Sequence, residues 1–336
     1  MFILAIKLLI FAFRGKVPHK LDLSLVYCMN FVLVGVLCVD EIYDLEEYPK
    51  EDSKVRASSK IVAKGGNSGN IAVVLSRLTV AEDTNNCVYI CAAIGEDTEG
   101  KFLMEECKRS NVSTKLLIVR ETTPKSVVLR TKATRTIVHY RNSDEVSFNE
   151  FQRVMSQIYH ESVEYNDFWI HFEGRNTKET HKMMSKFSNK NNIQLSLELE
   201  RSRTGDEHML LEYSPKLVVF SQQYMKQQGY EDVASFFQNF LLSNGFGPKF
   251  NKISLWVCTF GENGSIGGLV NENSILEQFN VPAESVEYVI DTLGAGDTFL
   301  AGLIFALSKK ALAGRAAVEF ASKLAAEKIQ RFGFMV

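Results

Sequence analysis

From residue 31 onward the chain alternates short β-branched or aromatic runs with segments of helical period, and this alternation constrains the fold more than any other feature. Strand-like runs fall at 31–39, 87–94, 167–172, 193–199, 216–221 and 252–258. Helix-like segments separate them at 68–78, 98–109, 148–160, 177–189 and 231–243, and two more, 296–308 and 312–331, close the chain. The pattern predicts an α/β fold with a mostly parallel sheet and helices on both faces. The run 31–39 is continuously hydrophobic and 169–172 is so apart from His171, as strands buried on both sides should be. Ile71, Val74, Leu75 and Leu78 fall on one helical face. Two stretches, 41–62 and 115–141, lack a long helix and read as extended segments with polar alternation, which predicts a small accessory sheet placed as a lid.

Composition removes several classes of function. The 336 residues carry 38 basic and 40 acidic side chains, a net charge of −2, so there is no basic face for a phosphate backbone and nucleic acid is not expected as a partner. Small molecules are the default ligands. Six cysteines are too sparse for a disulfide framework and form no CxxC pair, so they read as reduced thiols. Cys38, Cys87, Cys91 and Cys258 sit in strand-like runs and are expected as small core residues. The histidines form no HxxxH or HExxH pattern, and a structural metal is not expected.

Residues 1–13 are apolar apart from Lys7 and are followed by Arg14 and Lys16. That run is shorter than the roughly 20 residues that span a bilayer, and no A-x-A-like cleavage site follows it. Met29 stands just before the first core run. Three readings of residues 1–29 stay open: an isoform-specific leader bypassed by initiation at Met29, a weak signal or anchor, and a disordered tail. Without the extension the protein is expected to be cytoplasmic and free of membrane.

The segment Asp291-Thr-Leu-Gly-Ala-Gly-Asp-Thr-Phe-Leu-Ala-Gly302 holds the chemistry. Gly294 and Gly296 permit a tight turn with close backbone approach, and the apolar run after them begins a helix. Unpaired amides at a helix N-terminus, with the positive end of its dipole, make an anion site suited to a transferring phosphoryl group. Asp297 lies at the same mouth, where a carboxylate can accept the proton of an attacking hydroxyl. For an isolated GxGD the alternative is a helix cap after a tight turn. Gly302 and Ala301 are small, as close packing of this helix requires.

A longer match decides between them. The string D-T-x-G-A-G-D-T-F-x-A-G resembles the signature of the ribokinase-like (PfkB) carbohydrate kinase family. Gly65-Gly66-Asn67-Ser68-Gly69-Asn70-Ile71-Ala72 resembles the family's N-terminal G-G-x-x-x-N-x-A block. The amides of Asn67 and Asn70 suit neutral sugar hydroxyls, although alone they read equally as turn and cap residues. The blocks 48–53 (YPKEDS), 65–70, 135–138 and 169–176 (WIHFEGRN) are most similar to the ketohexose-phosphorylating branch of the family, over residue 31 to the C-terminus.

The resemblance implies a ribokinase-like three-layer α/β/α sandwich, with a mostly parallel central sheet and a small β-sheet lid, over residues 30–336. It implies transfer of the γ-phosphoryl group of ATP to the C1 hydroxyl of D-fructose. Asp297 would be the base, with Gly294, Ala295 and Gly296 as the anion hole. Asp40, at the end of the first strand, Gly66, Asn67 and Asn70 would bind the ketose, bordered by Arg175, whose alternative is a structural ion pair with Glu173. Arg135 would face the ATP phosphates from the lid, its alternative being a solvated charge. Gly261 and Gly264, with Gly294 and Gly296, would line the nucleotide side, and residues 322–332 part of the adenine pocket.

The family's N-x-x-E motif is missing: the corresponding place reads Phe220-Ser-Gln-Gln-Tyr224. Mg²⁺ is therefore expected to have no direct protein ligand and to be held mainly by the ATP phosphates, with Glu198 and Glu200 acting through water. Relatives also respond to K⁺ near the loop containing Asp291. A homodimer joined through the lids is expected, since pairing covers an exposed sheet edge. Two further readings stay open: a family kinase of ribose, adenosine or another ketose, and a sugar-binding regulator without catalysis.

Overall fold

The computed structural model describes residues 28–82, 86–132, 134–159, 166–249, 252–272 and 274–334, so the apolar extension lies outside the described residues as far as residue 27. Its first strands are β1 (Cys28–Val34), β2 (Cys38–Asp44), β3 (Ser59–Gly65), β4 (Val88–Cys91), β5 (Ala93–Gly95), β6 (Val112–Ser113) and β7 (Ile118–Arg120). There follow β8 (Lys125–Arg130), β9 (Arg135–Tyr140), β10 (Asn166–Glu173), β11 (Ile193–Leu199), β12 (Leu217–Ser221), β13 (Ser254–Thr259), β14 (Ser265–Val270) and β15 (Ile275–Val281). The main helices are α1 (Asn67–Ala81), α2 (Thr98–Arg109), α3 (Phe148–Met155), α4 (Thr177–Phe187), α5 (Gln222–Gln227), α6 (Ala295–Ser308) and α7 (Gly314–Ile329).

A nine-stranded sheet runs in the order β15-β14-β13-β12-β11-β10-β1-β4-β6. Its strands are parallel from β13 to β6, and the β14–β15 hairpin is antiparallel. Because successive strand side chains point to opposite faces, the apolar runs feed two cores at once. Phe31, Leu33, Trp169, Val219 and Val257 join α1, α6 and α7 on one side. Val32, Phe172, Val218, Phe220 and Trp256 join α3 and α4 on the other. The layering is the ribokinase-like sandwich implied by the sequence. Helix starts follow local chemistry: the Asp97 side chain accepts from Gly100 N at 2.8 Å, and Ser147 and Glu150 form a capping box for α3. Gly302 of α6 lies where a Cβ would press on Ala321 of α7, so its lack of a side chain sets the close approach of the two helices.

Several sequence expectations need correction. The run 31–39 is two strands in two sheets, because the chain leaves the main sheet at residues 35–37. There Glu173 Oε1 takes the Val36 amide at 2.9 Å, and a Cβ on Gly35 would collide with that carboxylate. Asp40 therefore lies in β2 and not at the end of the first strand. The second sheet has the order β3-β2-β8-β9, while β7 pairs with β5. Residues 231–243 form a short α-turn, Val233–Ser235, continued by a π-helical stretch, Phe236–Leu242, rather than one α-helix. The helix expected over 148–160 stops at Met155. The β14–β15 hairpin was hidden by its glycines and polar alternation. Cys87 is exposed just before β4, whereas Cys38, Cys91, Cys107 and Cys258 are buried and free.

Candidate active site

The C-terminal ends of β1, β10, β11, β12 and β13 point to one edge of the main sheet, where open parallel sheets present ligand-binding groups. Three features meet there: the N-terminus of α1, the N-terminus of α6, and the β2–β3 edge of the smaller sheet.

Gly294 is the N-cap of α6 and adopts φ 78°, a left-handed conformation that favours glycine. Behind it stands the Phe334 ring, which a Cβ at position 294 would strike. Asp297 is thus the third residue of the helix and not its cap. Its Oδ2 accepts from Asn70 Nδ2 at 2.7 Å. The other end of the same amide, Asn70 Oδ1, accepts from Lys64 Nζ at 2.9 Å. Lys64 belongs to β3, Asn70 to α1 and Asp297 to α6, so this chain of polar groups joins the smaller sheet to both helix N-termini.

The electrostatics follow from that geometry. Burial raises the Asp297 carboxyl to about 7, with Glu173 and Glu200 pushing the same way and the Asn70 hydrogen bond and Lys64 opposing. A carboxyl titrating there exchanges a proton readily at neutral pH. Burial lowers the pKa of Lys64, against the pull of Cys107, Asp297, Cys38 and Asp40. Burial also raises Asp40, whose Oδ1 accepts from Cys38 Sγ at 3.4 Å. Asp40 packs against the Gly65 Cα, where a side chain would displace it. Gly66, at φ 89°, passes the Val36 carbonyl too closely for a Cβ.

Asn67 donates to Glu198 Oε2 at 3.3 Å. Burial raises the Glu198 carboxyl well above the usual carboxylate range, and Asp297, Glu200 and Glu173 add to the rise. Asp297, Glu200 and Glu173 crowd Glu198 with negative charge, which a cation reaching the site would offset. Among the described residues no group of three or more His, Cys, Asp or Glu is arranged to hold a metal ion. In the place of the N-x-x-E motif, Ser221 caps α5, its hydroxyl accepting from Tyr224 N at 2.9 Å.

Arg135, exposed on β9, reaches Thr292 Oγ1 at 3.3 Å and so contacts the loop before α6. Gly261 and Gly264 flank a single 3-10 turn at the C-terminal end of β13, both with positive φ, and a Cβ at 264 would strike the Val281 carbonyl. Arg175 stands apart from the Asp297 cluster. Its Nε lies 2.8 Å from Glu173 Oε2 and its Nη1 3.3 Å from Glu145 Oε1.

Sequence reasoning missed Lys64, Lys328 and Phe334, and half of the role of Glu173. Lys64 is one of the lysines of an alternating strand, and only its position before Gly65-Gly66 sets it apart. Glu173 was noticed as a partner for Arg175, yet its Oε1 also accepts from Val36 N, Ser68 N and Ser68 Oγ at 2.9, 2.9 and 2.7 Å. It thereby fixes the exit from β1 to the start of α1. Lys328 and Phe334, near the C-terminus, brace the loop before α6, and no local motif marks them.

The chain matches the model of the pfkB family carbohydrate kinases over residues 35–167 and 247–335. It is 29% identical to mouse ketohexokinase over 321 residues, covering 91% of this chain and 97% of that protein. Adenosine kinase from Schistosoma mansoni, solved with 2-fluoroadenosine, superposes with a TM-score of 0.71 at 22% identity, over 94% of this chain and 98% of that one. A sugar kinase from Pyrococcus horikoshii, solved with ATP, gives 0.64 at 22% identity, over 91% and 93% of the two chains.

Proposed function

The chain belongs to the pfkB family of carbohydrate kinases, and from that premise we propose that it is a ketohexokinase, moving the γ-phosphoryl group of ATP to the C1 hydroxyl of D-fructose. The observation that carries the reading is the hydrogen-bonded series Lys64–Asn70–Asp297 at the mouth of the α6 amides. It supplies a carboxyl poised near neutral pH beside a donor array for the migrating anion. Fructose as substrate is supported by the similarity to mouse ketohexokinase and by the 48–53 and 173–176 blocks.

In this reading Asp40, Gly66, Asn67 and Asn70 hold the sugar, and Arg175 borders it by fixing Glu173. Asp297 takes the C1 proton as the oxygen attacks, and the amides around Gly294, Ala295 and Gly296 stabilise charge on the transferring group. Arg135 meets the phosphates when the smaller sheet closes as a lid, and Gly261 and Gly264 line the nucleotide side. Mg²⁺, held mainly by ATP, neutralises phosphate charge; Glu198 and Glu200 reach it through water. The face of the lid turned away from Asp40 exposes Val62, Val127, Val138 and Tyr140, and a second copy of the chain covers them in a homodimer.

The deciding experiment is an incubation with Mg-ATP and a panel of fructose, ribose, other ketoses and adenosine, with the product identified by NMR. Fructose 1-phosphate as main product supports the assignment. Preference for ribose or adenosine overturns the specificity, and sugar binding without ADP release overturns the catalytic reading.

A further inference from the structure

We propose that the ammonium of Lys328 acts as a built-in monovalent cation for the loop before α6, so that phosphoryl transfer by this chain is independent of K⁺. The inference rests on the kinase reading of that loop.

A K⁺ ion binds where carbonyl and carboxylate oxygens replace its water. Asp291 would have to supply both kinds of oxygen here, and Lys328 Nζ already holds both. It donates to the Asp291 carbonyl at 2.7 Å and to Oδ2 at 2.9 Å. The remaining capacity of the carboxylate is also engaged: Oδ1 accepts from Leu293 N at 3.0 Å, and Oδ2 from Gly333 N at 3.2 Å. Arg130 Nη1 stands 3.5 Å from Oδ1. A further cation would meet an ammonium and a guanidinium instead of free oxygens. K⁺ does not fit this arrangement.

Lys328 is wholly buried, 0% exposed, which is unusual for lysine and requires a partner. An ammonium has three donors. Two are spent on Asp291, and the Phe334 ring covers the group at 5.8 Å from the ring centre. The same ring lies against Gly294. The strap is completed by the backbone, since Ile290 N and Asp291 N donate to the Ile329 carbonyl at 2.7 and 3.1 Å. A tethered charge stays in place without the association cost of a free ion. It holds Asp291, and through Asp291 and Leu293 it sets the direction of the amides at residues 294–296. Lys328 is thus a positioning residue.

The test uses the whole chain at constant ionic strength in choline, sodium and potassium chloride, with turnover and melting temperature measured in each. The wild-type protein should turn over within about twofold in all three salts and show no K⁺-specific rise in melting temperature. Lys328→Ala should lose about tenfold or more in turnover, regain part of it with K⁺ but not choline, and melt higher in KCl than in choline. A saturable, K⁺-specific rise in wild-type turnover or melting temperature overturns the proposal. So does a Lys328→Ala protein that keeps full turnover and melts alike in every salt. Should that variant fail to fold, Lys328→Met and the wild-type salt comparison carry the same decision. If no member of the substrate panel is phosphorylated, the kinase reading fails, while the melting comparison still decides the cation question.

Discussion

Asn70 Nδ2 donates to Asp297 Oδ2 at 2.7 Å, although 227 residues separate the two in sequence. Both lie in the first turn or so of a buried helix, α1 and α6, so the hydrogen bond registers two helix N-termini against each other.

Replacing Asp297 by Asn should lower kcat by about 10²–10⁴ and leave the sugar KM within severalfold, as loss of a general base does. The proposed base must be deprotonated to act, and its pKa is raised to about 7. The kcat/KM for sugar should therefore climb with pH and level off above that value. A profile flat from pH 5.5 to 8.5 would assign the proton elsewhere.

The same group has a signature in stability. Its folded pKa lies above the ordinary value of 3.8, so the folded state binds more protons between the two and stability falls as pH rises through that window. At pH 8 Asp297→Asn should be more stable than wild type by about 1–4 kcal/mol, and the gain should vanish below pH 4. Urea unfolding at the two pH values measures it.

Asn70→Ala removes the donor that lowers the Asp297 pKa and leaves Lys64 without its acceptor. The rising limb of the pH–rate profile should move to higher pH. Turnover at pH 7 should fall about tenfold, with partial recovery at pH 8.5. Equal losses at both pH values would confine Asn70 to sugar binding.

Glu173 carries a buried ion pair and the amides of Val36 and Ser68. Burial alone would raise its pKa, but Arg175 and these donors hold it below the usual range. Glu173→Ala should cost about 3–5 kcal/mol, because Arg175 loses its nearest carboxylate in a buried setting. Glu173→Gln should cost less, since its amide oxygen still accepts from the two amides. Denaturant midpoints of the two variants compare these outcomes.

Val138→Asp places a charge on the exposed face of β9. Sedimentation should find the wild type dimeric and this variant monomeric, with its melting temperature little changed. A monomeric wild type at micromolar concentration would remove the dimer.

The alternation of apolar runs and helical periods made the main sheet legible, and the two glycine-rich blocks marked both helix N-termini of the site. The strand switch at residues 35–37 was illegible because Phe31 to Val39 is apolar on either side of it. The break is imposed by Glu173, more than a hundred residues away. Lys64, Lys328 and Phe334 escaped notice for a related reason: each acquires its role only through tertiary contacts, with Asn70, Asp291 and Gly294 respectively. Arg175 was legible in part: the sequence offered Glu173 as its ion-pair partner, and the fold adds Glu145, thirty residues away.

Lys64 and Asn70 sit on opposite sides of a mechanical boundary, one in the smaller sheet and the other in the main body. The Asn70 hydrogen bond and the Lys64 ammonium both lower the proton affinity of Asp297, so a carboxyl in the main body takes part of its acidity from a strand of the other sheet. A substitution at Lys64 is therefore felt as a change in proton affinity at an aspartate on another element.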